Sequence, residues 1–209
     1  MIYEMRTYDL KPRALPEVLK RWTDALPKRL ELSPLAAFWY TEIGPLNQII
    51  HVWPYKDLED RKRIRAAAVA SGKWPPVTGE FILNMQSDIF IPWDNSPLLP
   101  TGEVGPFFEM RTYTLAPGEQ GKVQKAWAAA LPKREKLSPV IATWYSELGR
   151  LNKFVHIWPY KSLDARMATR ARAIAEGGWP PSPAAGDAPY NTVAQETKIL
   201  LAAPFSPIR

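Results

Sequence analysis

Polar and apolar residues alternate strictly at the start of the chain. Ile2, Glu4, Arg6, Tyr8 and Leu10 share one face of an extended segment, and Tyr3, Met5 and Thr7 share the other. A period of two with aromatic residues predicts a strand over 1–10, ended by Lys11-Pro12. The period then lengthens. Leu15, Val18, Leu19, Trp22, Ala25, Leu26 and Leu30 recur at helical spacing and predict an amphipathic helix over 14–32. Pro27 lies inside that pattern, where it deletes one backbone hydrogen bond and is expected to kink or divide the helix. Strands are predicted over 35–43 and 48–55, joined as a hairpin by Gly44-Pro45-Leu46-Asn47. Asp57 suits the N-cap of a second helix over 58–70 that stops at Gly72. Trp74-Pro75-Pro76 forms a rigid connector, and a last strand is predicted over 81–91. The order strand, helix, strand, strand, helix, strand is the split βαβ, ferredoxin-like arrangement.

The whole pattern then occurs again. Asn47-Gln-Ile-Ile-His51-Val-Trp53-Pro-Tyr55-Lys56 returns as Asn152-Lys-Phe-Val-His156-Ile-Trp158-Pro-Tyr160-Lys161, an offset of 156 − 51 = 105. The same offset carries Arg6 onto Arg111, Trp39 onto Trp144 and Trp74 onto Trp179. No gap is needed from Tyr3 to Pro76, and about half of the aligned positions are identical. The chain reads as a tandem duplication, with one unit over 1–93, a proline-rich linker over 94–106 and a second unit over 107–209. The second copy departs in one place: residues 182–189 form a longer loop, either a tolerated surface insertion or a cover for one of two equivalent sites. The expected fold class is α+β. A four-stranded sheet with both helices on one face leaves its other face bare, so the two units are expected to close into an eight-stranded barrel as a pseudo-dimer within one chain. Further association into a homo-oligomer stays open.

Composition narrows the chemistry. The chain has no cysteine, which removes disulfides, thiolate metal sites and cysteine nucleophiles. The net charge of +6 is spread over several helices and not gathered in one block, so nucleic acid is not an expected partner. No apolar run approaches a membrane span, the first strand leaves no room for a signal peptide, and the expected location is cytoplasmic.

The strand faces carry the candidate site. With Gly44 opposite Asn47 in the hairpin, Phe38, Tyr40, Glu42, Asn47, His51 and Trp53 share one face, and Ile50 and Val52 lie behind it against the helices. A slip of one residue would put Trp39 and Thr41 there instead. The first strand adds either Glu4, Arg6 and Tyr8 or their neighbours. The second unit repeats these types at Arg111, Tyr113, Tyr145, Glu147, Asn152 and His156. Arg6, Tyr40, Glu42, Asn47 and His51, with Arg111, Tyr145, Glu147, Asn152 and His156, are therefore the candidate catalytic residues. The histidine would serve as general acid or base, the glutamate would orient it or act as the base itself, and the arginine would hold a carboxylate, carbonyl or enolate oxygen. Tyr8, Trp39, Trp53, Tyr113, Trp144 and Trp158 are candidates for a ligand wall, as are Trp74 and Trp179. The same side chains also suit a buried network that only joins the two halves. Arg61 with Arg65, and Arg166 with Arg170, sit one helical turn apart and read as a solvated helix face or an anion grip. No metal site and no glycine-rich phosphate loop is legible.

Several segments resemble the NIPSNAP family: Tyr3-Glu-Met-Arg-Thr-Tyr8, Leu32-Ser-Pro34, Phe38-Trp-Tyr-Thr-Glu-Ile-Gly44-Pro-Leu-Asn47 and His51-Val-Trp-Pro-Tyr55. Their counterparts are Phe108-Glu-Met-Arg-Thr-Tyr113, Leu137-Ser-Pro139, Trp144-Tyr-Ser-Glu-Leu-Gly149 and His156-Ile-Trp-Pro-Tyr160. The resemblance implies the dimeric α/β-barrel superfamily, whose members include cofactor-free monooxygenases, lactone isomerases and haem proteins. The leading expectation is a cofactor-independent small-molecule enzyme or ligand-binding protein for an apolar or carbonyl-bearing compound. The alternatives are a non-catalytic protein-interaction module and a haem-binding barrel.

Overall fold

The computed structural model describes residues 1–209. The first half runs β1 (Ile2–Leu10), α1 (Leu15–Leu30), β2 (Ala37–Ile43), β3 (Gln48–Tyr55), α2 (Leu58–Ala70) and β4 (Ile82–Pro92). The second runs β5 (Phe107–Leu115), α3 (Gln120–Glu135), β6 (Ala142–Leu148), β7 (Lys153–Tyr160), α4 (Leu163–Ala175) and β8 (Thr192–Ala202). All eight strands form one closed antiparallel barrel in the order β1-β3-β2-β8-β5-β7-β6-β4, with the helices outside. Each half keeps the ferredoxin-like order, and the edge strands β2 and β4 pair with β8 and β6 of the other half, so no sheet edge remains.

Local chemistry accounts for the element ends. Asp57 accepts a hydrogen bond from the backbone N–H of Asp60 at 2.8 Å and Ser162 one from Ala165 at 3.0 Å, which caps α2 and α4. Pro27 and Pro132 do not divide their helices. Only one backbone bond is lost so near the C-terminal end, and Arg29 and Arg134 in the last turn are tied to Ser33 and Ser138. The β2–β3 ladder pairs Phe38 with His51 and Tyr40 with Ile49, two residues away from the expected register. Thr41 Oγ1 takes the Gln48 N–H at 3.1 Å, and Asn47 (φ 58°) gives its carbonyl to Leu10, so the turn is wider than four residues. A two-residue shift leaves the faces as read from the sequence.

What those faces meet is the opposite of the expectation. Ile50, Val52, Met5, Trp39, Phe108 and Trp144 fill the barrel interior, where Tyr3 stacks on Trp144 at 4.4 Å across the two halves. The face with Arg6, Tyr8, His51 and Trp53 lies under α1 and α2. The interior is enclosed on all sides, so an ionised group there would be stripped of water, whereas the space under the helices opens at one end to solvent. There is thus no shared polar chamber: the ionisable side chains form two clusters, one in each half.

The segment after each half's last strand braces the other half. Trp93 is buried in the helix-side core of the second half, stacked on Phe154 at 4.0 Å, and Ser96 Oγ accepts the Thr143 N–H at 3.1 Å. Phe205 packs on Phe38 at 4.9 Å in the first half, and Ser206 Oγ accepts the Phe38 N–H at 2.9 Å. The two seams are closed by different polar pairs. Asp88 receives the backbone N–H, Nε and Nη2 of Arg150 at 2.9, 3.1 and 2.7 Å, while Lys198 Nζ donates to Gln48 Oε1 at 2.6 Å.

Candidate functional site

In each half, one cavity opens between the sheet and its two helices. On β1 the alternating face sets Glu4 opposite Trp53, Arg6 opposite His51 and Tyr8 opposite Ile49. Helix α1 adds Trp22 and Arg29, α2 adds Arg65, and Trp74-Pro75-Pro76 closes the far wall, leaving a cavity of about 290 Å³. The cavity of the second half, about 320 Å³, is lined by the same residue types at the 105 offset, with Trp127, Arg134, Arg170 and Trp179 in the places of Trp22, Arg29, Arg65 and Trp74. The peptide bonds before Pro75 and Pro180 are both cis.

A single carboxylate anchors a group of guanidinium ions. Glu4 is fully buried, and its Oε1 accepts from Arg6 Nη1 at 2.7 Å, Arg61 Nη2 at 2.7 Å and Ser87 Oγ at 2.8 Å. Its Oε2 accepts no hydrogen bond and has Arg65 Nη1 3.7 Å away. Burial alone would raise this carboxyl, but the hydrogen bond from Arg61 and the charges of Arg6 and Arg65 outweigh it and hold the group at about 2. Glu109 sits in the same way among Arg111 (3.1 Å), Arg166 (2.5 Å) and Arg170 (3.8 Å), and is held below its ordinary value against the pull of burial. Arg29 is also buried. It donates to Ser33 Oγ at 2.7 Å and Tyr55 Oη at 3.0 Å and lies 4.2 Å from the ring centre of Trp53, and burial draws it below its ordinary value. Arg6 Nε donates to Tyr8 Oη at 2.6 Å, and burial raises the Tyr8 phenol.

The histidine is locked. Trp53 Nε1–H donates to His51 Nδ1 at 2.7 Å, and Trp158 does the same to His156 at 2.6 Å. An accepting Nδ1 places the imidazole proton on Nε2, which is buried and has no acceptor. Tyr8 meets the ring edge-on at 4.9 Å, with Trp22 at 4.6 Å and Phe38 at 5.7 Å. Burial, then the nearby charges of Arg6 and Arg65, push His51 well below its ordinary value, and His156 is depressed for the same reasons. In this geometry the imidazole is a neutral donor whose lone pair is already used, which suits neither a general base nor a haem-iron ligand. No three His, Cys, Asp or Glu side chains converge as metal ligands.

Of the residues singled out from the sequence, Arg6, Tyr8, His51, Trp53, Arg111, Tyr113, His156 and Trp158 line the two cavities, and so do Trp74 and Trp179. The others lie elsewhere. Glu42 and Glu147 are exposed at the hairpin ends, far from orienting a histidine, and Asn47 and Asn152 are left-handed turn residues. Tyr40 and Tyr145 pack at the margins of the helix-side cores, and Trp39 and Trp144 point into the barrel. The wider turn places positions 42 and 47 beyond the ladder, and alternation turns 39 and 144 inward. The carboxylate that matters is Glu4, which sequence reading placed only as one of two possible faces. Arg61 and Arg65 were expected on a solvated helix surface, yet both turn to Glu4. The signal for them was present: the Arg pair recurs in both halves at the same helical spacing, in register with a glutamate on the arginine face of the first strand. Arg29 and Tyr55 were missed, although both recur at the 105 offset.

A closed eight-stranded barrel built from two ferredoxin-like halves, each with its own cavity, defines an intrachain version of the dimeric α/β barrel. A putative monooxygenase from Fusobacterium nucleatum has this fold, with a TM-score of 0.64 over 97% of this chain and 92% of that one at 11% identity. The NIPSNAP family model matches residues 3–97 and again 108–207, and the chain belongs to the NIPSNAP family. Among its relatives, a NipSnap homolog from Dictyostelium discoideum is 28% identical over 85% of this chain and 78% of its own length. Human NipSnap homolog 3B is 26% identical over 99% of this chain and 85% of its own. No helix is long and apolar enough to cross a membrane.

Proposed function

We propose that each half holds a binding site for a small planar apolar compound bearing a carboxylate or enolate oxygen, and that Arg6 with Tyr8, and Arg111 with Tyr113, stabilise the negative charge on that oxygen. The observation that carries this reading is the surplus of hydrogen-bond donors. Arg6, Arg29 and Arg65 are cations around one cavity, and the one carboxylate nearby, Glu4, is already bonded to Arg6, Arg61 and Ser87. The oxygens of Tyr8 and Tyr55 accept from arginines, which leaves their hydroxyl protons to give. A cavity that donates and hardly accepts calls for an acceptor-rich anion, and the indole rings of Trp22, Trp53 and Trp74 supply flat apolar walls. Charge stabilisation by fixed donors needs no resident cofactor. Glu4, held at about 2, is too weak a base to take a proton at neutral pH, so the chemistry supported here is electrostatic, with Tyr8 as proton donor.

Three tryptophans line the first cavity, so their fluorescence reports occupancy. We expect 2-naphthoate to quench it and its methyl ester to bind at least about tenfold more weakly, with Arg6→Gln/Arg111→Gln abolishing the difference. Equal affinity of acid and ester would reject the reading.

A further inference from the structure

We infer that the two cavities select different ligands, and that Met85 in the first and Gln195 in the second set the difference. This rests on the oxyanion reading above. Apart from Tyr190, which lines only the second cavity, the charged and aromatic groups of the two cavities match one for one at the 105 offset. A mismatch in polarity lies on the wall formed by the last strand of each half. Tyr8 stands opposite Met85 and Leu10 opposite Ile82, whereas Tyr113 stands opposite Gln195 and Leu115 opposite Thr192. All four wall residues line their cavity. The same two ladder positions are thus apolar in one half and polar in the other.

The exchange changes what the arginine can do. Arg6 Nε and Nη1 are taken by Tyr8 and Glu4, and Nη2 meets no acceptor in the protein. Arg111 uses the same two nitrogens in the same way, but its Nη2 lies 3.5 Å from Gln195 Oε1. The first cavity therefore presents a free guanidinium N–H beside a thioether and an isoleucine. The second presents one drawn towards the Gln195 amide oxygen at the far limit of a hydrogen bond, beside a threonine hydroxyl. Tyr190, from the longer loop of the second half, adds a ring to that wall, fixed by the hydrogen bond from its hydroxyl to the Pro181 carbonyl. A planar anion with an unsubstituted body suits the first cavity: its oxygen gains Arg6 Nη2 without displacing a partner, and its edge meets carbon and sulfur. In the second cavity the same ligand must compete with Gln195 and strands polar groups against its apolar edge. A ligand with a hydroxyl on its ring satisfies them.

The test is isothermal titration calorimetry of the full chain with 2-naphthoate and with 4-hydroxy-2-naphthoate. For 2-naphthoate we expect two affinity classes separated about tenfold, the size of one charged hydrogen bond. Arg6→Met should remove the tighter class and Arg111→Met the weaker. Met85→Gln should weaken the tight class, Gln195→Met should strengthen the weak one, and the hydroxylated probe should reverse the order. Met85 and Gln195 are both exposed at the cavity mouths, so these exchanges leave the core intact. Two equal sites for both probes, indifferent to the exchange, would overturn the inference and leave the oxyanion reading standing. No heat with either probe would overturn both.

Discussion

Glu4 and His51 each meet the cost of burial by a different route. Glu4 stays ionised under the helices because several arginines surround it, and an ion so placed is stabilising only while its partners remain. His51 stays neutral because burial would strip the charged ring of water and because charging it would add one more positive group to that arginine cluster. Both states make folding depend on pH, with the same sign. Below its ordinary value of 6.5 the unfolded histidine takes up a proton that the folded one refuses, so stability falls as pH drops through that value. Glu4 contributes in full above its ordinary 4.5 and loses that contribution as pH falls towards about 2, a difference worth about 3 kcal/mol at about 1.4 kcal/mol per unit of pKa. Urea midpoints measured from pH 8 to pH 3 should therefore decline in two stages. His51→Gln/His156→Gln should remove the upper stage alone; a midpoint unchanged between pH 7 and pH 5 in the parent chain would count against the neutral imidazoles.

At the scale of elements, each cavity depends on how helices and tails are pinned to the sheet. Arg61 and Arg166 tie α2 and α4 to glutamates on β1 and β5, and Arg29 and Arg134 tie the ends of α1 and α3 to tyrosines on β3 and β7. These links run from helix to strand, so helical periodicity gives no hint of them. The linker shows the same limit. Its proline content reads as a plain connector, yet Trp93, the residue just before it, is a core residue of the opposite half, stacked on Phe154 and 6.3 Å from Trp127 of the second cavity. Trp93→Ala should cost about 3–5 kcal/mol in a denaturation experiment. It should also weaken probe binding in the second cavity while sparing the first. Equal losses at both sites would mean that the brace acts through the barrel as a whole.

At the scale of the molecule, barrel closure unites the halves and keeps their sites apart. The interior holds Tyr3, Trp39, Phe108 and Trp144 in apolar contact, and β2 and β4 find partners only across the seams. A first half produced alone would expose that apolar face and two sheet edges. Residues 1–106 expressed alone should sediment as a dimer, with each copy supplying the edges the other lacks. A stable, well-folded monomer would show that closure is dispensable.

The sequence by itself determined the elements, the repeat, the barrel and the residue types shared by both halves, because these follow from periodicity, turn chemistry and the offset of 105. It also placed His51 with Trp53 on one strand face, since alternation survives a two-residue shift in register, and set Arg6 with Tyr8 on one face of the first strand without deciding that the two faces coincide. Only the tertiary structure decided which way that face looks. Alternation says that two faces differ, and not which of them meets the helices and which the other half. The answer came from the dryness of the barrel interior, which accepts carbon and rejects charge, so the arginines gathered around Glu4 and Glu109 in two separate cavities near solvent.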